Sequence, residues 1–571
     1  MVKNFKCWPE QWPKNLNYPD RPVHYFLEDT AERVPNRIAI HFGGMVLTYL
    51  EFKTLVHYFA SALHAQGVEK GGRVAIHLPN MPQFAIAYYA TLKIGAVFTP
   101  LNPLLSPREV SYQLNDSGAE TLISLDLLYP GIQSVIPDTP VKRVISTSIA
   151  DCYNAVILPV KPLGKLPVPD TLDMCELIKA HPNEPPEVDI DVYNDLAHLA
   201  YTGGTTGVSK GVMLTHRNVA CNTIQFGCWF SGAQIEMKNN RPEPVYPEGV
   251  DPARDRPLQR DRETALVVVP WFHAMGTVGY LNNMVSSGAT MVVFPRFDPK
   301  EYIEAVNKFS ATSLGGAPQL YVPLVNMPEF EQYDLSGVKL IASGAGPLPG
   351  SVLDAMRKSF SSSVVIEAYG MTECAMGATA NPPIRELTRI GSVGLPVADT
   401  ELKVVDVVTG EDLPPGSEGE ICIRGPQVMA GYWQRPEATA EVLKDGWLHS
   451  GDIGREDDDG YFYITDRKKD MIIYKGYNVY PREIEEVIYD HPAVEMCAVI
   501  GKPDAAGGEI PVAFVQLKKD MQASAEELIA HVNERVAAYK KLREVIFVET
   551  VPVSAAGKVL KRQLKDQLAA G

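Results

Sequence analysis

The chain is poor in cysteine, has no long uninterrupted apolar run and carries no excess of positive charge. Its eight cysteines, at 7, 152, 175, 221, 228, 374, 422 and 497, are scattered and form no Cys-x-x-Cys pair. That argues against a disulfide framework and the common zinc spacings, and points to a reduced, cytoplasmic chain. The longest apolar stretch, around FAIAYYATLKIGAVFTP, is broken by Lys93 and ends in proline, so no integral membrane segment is expected. The opening MVKNFKCWPEQWPKNLNYPD has no apolar signal core. Lys and Arg number 53 against 69 Asp and Glu, a formal charge of −16, which argues against broad binding to nucleic acid or anionic membrane.

What is present describes a large globular chain. With 571 residues and 45% apolar content, more than one core is expected. Short apolar runs such as RVAIHL (73–78), GAVFTPL (95–101) and ETLISL (120–125) alternate with helical patterns such as MPQFAIAYYATLK. The alternation continues through TALVVVP, TMVVFP and KLIASG, which predicts layered, mostly parallel sheets with flanking helices in an α/β fold. Residues 236–263, charged and proline-rich, read as an exposed insertion with no chemistry of its own. A charged cluster at 464–487 separates an upstream β-rich segment from a compact α+β unit of about a hundred residues. In that unit one helix opens at Pro481 with Ile484, Val487 and Ile488 on one face. A second starts at the capping box Ser524 and Glu527 and carries Leu528, Ile529, Val532 and Val536.

The densest signal is YTGGTTGVSKG, Tyr201 to Gly211. Glycines let backbone N–H groups converge on an anion, and hydroxyls and a lysine add donors and charge. The loop suits phosphate, yet it fails both common phosphate motifs. Five residues after Gly203 lies Val208 and five after Gly204 lies Ser209, so it is not Gly-x4-Gly-Lys-Ser/Thr, and no Gly-x-Gly-x-x-Gly occurs in it.

Taken with YGMTE (369–373), SGD (450–452), DRKKD (466–470) and a Gly-Lys pair at 557–558, in that order, the loop resembles the adenylate-forming superfamily. That superfamily contains acyl-CoA synthetases, peptide-synthetase adenylation domains and beetle luciferases, and the resemblance runs from about residue 25 to the end. It implies a large adenylation domain over 1–468 and a small mobile domain over 469–571. The implied reaction has two steps: a carboxylate attacks the α-phosphate of ATP to give acyl-AMP and pyrophosphate, and coenzyme A then displaces AMP. Transfer to a carrier-protein phosphopantetheine and luciferase-like oxidation of the adenylate are the alternatives. The terminal LAAG carries no peroxisomal address, which disfavours the latter. A non-enzymatic nucleotide-binding module is disfavoured by the presence of both Glu373 and Lys558.

The resemblance also assigns residues. Thr202, Gly203, Gly204, Thr205, Thr206, Gly207, Ser209 and Lys210 would hold the β- and γ-phosphates, and Glu373 with Thr205 would hold Mg2+. Gly344, Ala345 and Gly346 would follow the adenine edge, within a nucleotide site completed by Glu367, Ala368, Tyr369, Gly370, Met371 and Thr372. Tyr369 would cover the adenine face or, failing that, be a core tyrosine. Asp452 would accept the ribose hydroxyls and Arg467 would bind ribose or phosphate. Lys558, cationic with a free pKa of ~10.4, would bridge carboxylate and α-phosphate in the first step. Around it Ser554 and Ala556 replace the family's usual hydroxyl residues.

Lys469 would be the hinge, after which Lys475 and Gly476 would swing towards the pantetheine arm of coenzyme A. His273, expected at a strand end, would serve the acyl pocket or equally pack in the core. Phe272, Met275, Gly276, Tyr280, Gly315 to Pro318 (with Gly316 and Ala317), Met371 and Met376 would line that pocket. Such a lining suits an uncharged hydrophobic acid, whether fatty, aromatic or alicyclic, and no basic residue in these segments invites a second carboxylate. The expected partners are small molecules, with a homodimer left open.

Overall fold

The structure is a computed structural model that describes residues 6–151, 164–202, 209–238, 241–346, 348, 350–474, 477–504, 508–553 and 559–570. Two large sheets form the N-terminal domain, as the alternation predicts. The nine-stranded sheet runs, edge to edge, 395–396, 379–380, 364–369, 340–343, 313–316, 264–267, 290–293, 38–42 and 45–48. Its central six strands are parallel and its edges antiparallel. The eight-stranded sheet contains the predicted strands Arg73–His77, Val97–Pro100 and Thr121–Leu125, again parallel, and closes on the antiparallel hairpin Leu196–Tyr201/Gly211–Thr215. Continuous Val/Ile/Leu runs form such strands because helices cover both faces.

Helix Pro82–Lys93 shows the consequence: apart from Lys93 every residue of it is buried, including the aromatic pair Tyr88 and Tyr89. Beyond these sheets come a five-stranded antiparallel sheet over 401–467 and a separate five-stranded sheet over 472–547, the core of the small C-terminal domain. There the helix Pro481–Tyr489 buries Ile484 and Ile488 as read from the sequence, and Ser524 forms the expected capping box. The second helix stops at Asn533, so Val536 packs from the following turn. Among the described residues no helix is long and apolar enough to cross a membrane.

The insertion is largely exposed or half-exposed, as expected, but it has regular structure and buried anchors. It folds into the antiparallel ribbon Gln234–Lys238/Arg241–Val245 followed by a mostly exposed or half-exposed return anchored at two buried residues. Arg256 and Glu263 are 8% and 3% exposed. Several of its charges are paired: Arg260 bridges Asp29 (3.2 Å) and Glu243 (2.9 Å), Arg33 grips Asp261 at 2.8 Å, and Arg256 lies over the Trp12 ring at 4.3 Å. Composition cannot separate a solvated charge from a paired one.

Candidate active site

In the nine-stranded sheet the chain steps from 264–267 to 290–293 on one side, then returns to add 313–316, 340–343 and 364–369 on the other. This reversal of direction is where ligands bind in open α/β sheets, beyond the carboxyl ends of the strands. A cavity of about 650 Å³ opens there, and its wall takes the residue after four of the six parallel strand ends: Val268, Ala317, Gly344, Gly370. Phe272, His273, Met275, Tyr280, Gly316, Ala317, Met371 and Met376 all lie on this wall. Helix His216–Ser231, started by the Thr215/Asn218 capping box, adds Phe226 and Phe230. One cation also reaches the wall: Arg296, exposed at the rim.

His273 is not at a strand end. The strand stops at Val267, and His273 sits in the turn before a π-helix, Met275–Asn282, a geometry that recurs at functional sites. Gly276 stands outside the wall, where a Cβ would meet the Pro270 carbonyl oxygen at 1.9 Å. The tight turn that delivers Phe272 and His273 therefore requires glycine at 276. Gly315 works similarly, leaving room for the Tyr280 hydroxyl, which a Cβ would meet at 1.4 Å.

At the other end of the cavity lie Gly344, Ala345, Ala368, Tyr369, Gly370, Met371 and Thr372. Ala345 adopts a positive φ of 67°, turning the chain sharply past the cavity. Gly346 is outside the wall, and Glu367 stands behind it, buried, accepting from the Leu348 N–H at 3.3 Å, with its carboxyl pushed upward by burial. Tyr369 donates to Asp452 Oδ2 at 2.7 Å, while Arg467 Nε lies 3.2 Å from Asp452 Oδ1. Strand pairing sets this up, because Asp452 and Arg467 face each other across strands 447–456 and 462–467. Burial and then Asp452 push the Tyr369 hydroxyl well up. Burial works against the Arg467 charge, and Asp452 outweighs it. A carboxylate has about four lone-pair sites, so Asp452 keeps acceptor capacity for a diol.

The phosphate-type loop is the tip of the hairpin in the eight-stranded sheet. Gly203, Gly204, Thr205, Thr206 and Gly207 lie outside the described residues, but both ends of the loop are placed. Thr202 N–H donates to the Lys210 carbonyl at 3.1 Å, and the Ser209 hydroxyl donates to the Thr202 carbonyl. Lys210 Nζ sits 4.9 Å over the Tyr432 ring, whose hydroxyl donates to Glu373 Oε1 at 2.8 Å. The loop base and the Glu373 carboxylate are thereby brought together.

A clasp that the motifs do not reveal holds this base. Tyr112 donates to the Ser209 carbonyl (2.8 Å), Tyr201 to Asp116 Oδ2 (2.7 Å), Arg435 to Asp116 Oδ1 (2.6 Å), and the Trp433 indole to the Asp116 carbonyl (3.1 Å). Trp433 N–H also reaches the Gly211 carbonyl at 2.8 Å. Only the run GYWQRP, aromatics and a cation beside a proline, hints at it in the sequence.

Across the charged cluster, Asp466 Oδ2 accepts from the Arg482 backbone N–H at 2.9 Å, and the Arg482 guanidinium bonds the Ile464 carbonyl. Burial raises Asp466 to about 6 and is the leading cause of the downward shift at Lys469, followed by Arg467. Lys475, Gly476 and Lys558 lie outside the described residues. Val553, five positions before Lys558, is on the cavity wall.

The comparisons agree with this geometry. The family described as AMP-binding enzyme matches residues 27–433, and its C-terminal domain matches 483–558. A long-chain-fatty-acid–CoA ligase of Bacillus subtilis (strain 168) is 37% identical over 569 residues, covering 98% of this chain and 97% of its own. A feruloyl-CoA synthase of Amycolatopsis sp. is 36% identical over 535 residues, covering 94% and 96%. Among solved structures, an anthranilate CoA ligase in complex with anthranoyl-AMP superposes with a TM-score of 0.82 at 26% identity, covering 97% of this chain and 98% of that one. The chain belongs to the adenylate-forming acyl-CoA synthetase family and is an AMP-forming acid–CoA ligase, with ATP and coenzyme A as substrates.

Proposed function

We propose that the acid is a long-chain fatty acid. The observation that carries this reading is the cavity itself: about 650 Å³, continuous from Tyr369–Thr372 to a wall of Phe226, Phe230, Met275 and Leu320, with its one cation at the rim. Relatives named for fatty and for aromatic acids are both near in sequence, the former over more of the chain, and the largely apolar wall suits an alkyl tail.

The carboxylate oxygen attacks the α-phosphorus, the bond to the bridging oxygen breaks, and pyrophosphate leaves with the electron pair. The thiol sulfur then attacks the acyl carbonyl and AMP leaves, the thiol proton passing to solvent. Thr202, Ser209 and Lys210 hold the phosphates together with residues 203–207. Asp452 takes the ribose diol, Arg467 fixes Asp452, and Tyr369 covers the adenine. Lys558 neutralises the α-phosphate as charge develops; Val553 on the cavity wall supports that placement. Glu373 and Thr205 would hold Mg2+, which neutralises phosphate oxygens when bound. Among the described residues no group of three ligating side chains exists, which suits an ion held mostly by phosphate and water. The polypeptide turns at Lys469 between steps, with residues 1–468 on one side and 469–571 on the other. Among the described residues no cysteine is joined in a disulfide, which supports work in the cytoplasm.

The test is pyrophosphate release across fatty, aromatic and alicyclic acids, each with and without coenzyme A. Turnover greatest for palmitate and strongly raised by coenzyme A is the expected result. A stoichiometric burst indifferent to coenzyme A would favour a carrier-protein acceptor, and a preference for aromatic acids would overturn the fatty-acid assignment. Lys558→Ala should lose adenylation by roughly 100-fold or more while still making thioester from supplied acyl-AMP. Equal loss of both half-reactions would remove Lys558 from that role.

A further inference from the structure

A second cavity, of about 110 Å³, lies beside the first. The two share four wall residues, Phe230, Leu258, Met284 and Ser313, so only side chains separate them. Its far wall is built by the segment first read as a featureless insertion. Ile235, Pro242 and Pro244 of the ribbon line it, with Tyr25 and Phe26 of the helix Tyr25–Arg33 opposite. Ile235 and Pro244 are cross-strand partners, so one face of the ribbon supplies this wall.

Charged groups also border the chamber, but they are spent on one another. Asp29 pairs with Arg33 (2.9 Å) and Arg260, while Glu263 pairs with Lys339 (3.1 Å). The neighbouring Ser231 hydroxyl donates to the Gly227 carbonyl at 2.7 Å, and Asn283 Nδ2 to the Thr223 carbonyl at 3.1 Å. What remains for an occupant is mostly apolar surface, with the buried Tyr25 hydroxyl as the polar exception. The partition itself is a phenylalanine, a leucine, a methionine and Ser313, and the unbranched methionine has the rotational freedom to step aside.

We propose that this chamber receives the methyl-terminal end of a long acyl chain lying in the main cavity, and that the segment Gln234–Glu263 sets the upper chain length. The inference rests on the reading of the main cavity as the acyl site. The head of the acid is fixed near Tyr369–Thr372, the chain runs along Phe226 and Phe230, and its tail passes Phe230, Leu258 and Met284. Acids too short to reach the partition bind without using the chamber. Longer ones gain from each methylene buried beyond it.

The test compares kcat/KM for octanoate, laurate and palmitate in the wild type and in Ile235→Trp, which fills the chamber from a half-buried ribbon position. The palmitate-to-octanoate ratio should fall at least about tenfold in the variant, since several methylenes lose their burial. A parallel fall for both acids, or an unchanged ratio, would overturn the chamber's role while leaving the acyl site in place. Wild-type turnover of neither acid would overturn the acyl-site reading and the chamber with it. Labelling of the wild-type enzyme with palmitate bearing a diazirine at its methyl end makes the result independent of the variant's folding. Crosslinks should fall within 25–29, 223–246, 258–263 and 283–287; crosslinks confined to 268–280 and 316–345 would overturn the proposal.

Discussion

The cavity wall and the strip that joins the two domains meet at Tyr369 and are built by opposite means. The wall is apolar and shaped by backbone, with Gly276 against the Pro270 carbonyl and Gly315 under the Tyr280 hydroxyl. The strip is polar: Asp452 with Arg467, Asp466 with Arg482, and Glu420 with Lys468 at 3.2 Å. Close-packed volume cannot be exchanged without rebuilding its neighbours, whereas in the strip the buried Asp452 and Glu420 meet partners that water also reaches, Arg467 and Lys468 at 36% and 44% exposed, so these contacts give way more readily. On the proposed mechanism, in which one acyl group stays in place through two reactions and the small domain turns between them, the ligase needs a mould that does not yield beside contacts that do.

The same glycine-to-alanine change on each side should expose the difference. Gly276→Ala places a methyl 1.9 Å from a backbone oxygen, with Trp271 Cα at 2.9 Å, so no side chain can move to relieve it. A loss on the order of 100-fold or more in kcat/KM for the acid, together with a lower Tm, is expected. Gly451 of the strip has a φ of 72° and nothing within 4 Å of the added atom. There only the left-handed backbone resists, about 1 kcal/mol, and a loss under about tenfold should follow. Equal losses at the two positions would show that the wall is as yielding as the strip.

The same contrast explains what the sequence reveals. Wherever chemistry sits on a contiguous motif, as in YTGGTTGVSKG, YGMTE and DRKKD, the residues announce themselves, and the structure brings Tyr369, Asp452 and Arg467 together from three separate stretches. The parallel strands were equally legible, because burial on both faces demands unbroken apolar runs. Tertiary pairing was not. Asp116 looks like an ordinary polar helix residue until Tyr201, Trp433 and Arg435 converge on it, and Arg260 looks solvated until Asp29 and Glu243 flank it. The place of His273 in a π-helix approach was hidden too, since Gly276 signals only that some turn is tight.

The clasp sits between the two regimes, polar like the strip yet attached to a loop that must hold its shape. Tyr112→Phe deletes the donor to the Ser209 carbonyl without opening a cavity. One hydrogen bond contributes about 1 kcal/mol. The KM for ATP should rise roughly 3- to 10-fold while the KM for the acid stays put. A rise in both constants would mean that the clasp supports the whole domain, and no change in either would remove Tyr112 from the loop's support.

A last effect, read as stability and not as rate, should come from the strip's own titration. Asp466 faces Arg482 through its backbone N–H, with Arg467 beside it and Lys561 and Glu485 contributing charge nearby; burial dominates and raises its carboxyl to about 6. The unfolded carboxyl titrates near 3.9, so between about pH 4 and pH 6 the folded chain binds more protons than the unfolded one. Stability contributed by this group is therefore present at the acid end and lost as pH rises through that window. Asp466→Asn keeps an acceptor for the Arg482 N–H and does not titrate. Relative to the wild type its Tm should gain steadily from about pH 4 to about pH 6.5 and then level off, with an amplitude of at most about 3 kcal/mol. Parallel Tm curves would mean that the carboxyl is hydrated in solution, and that the strip is looser in the resting enzyme than its contacts suggest.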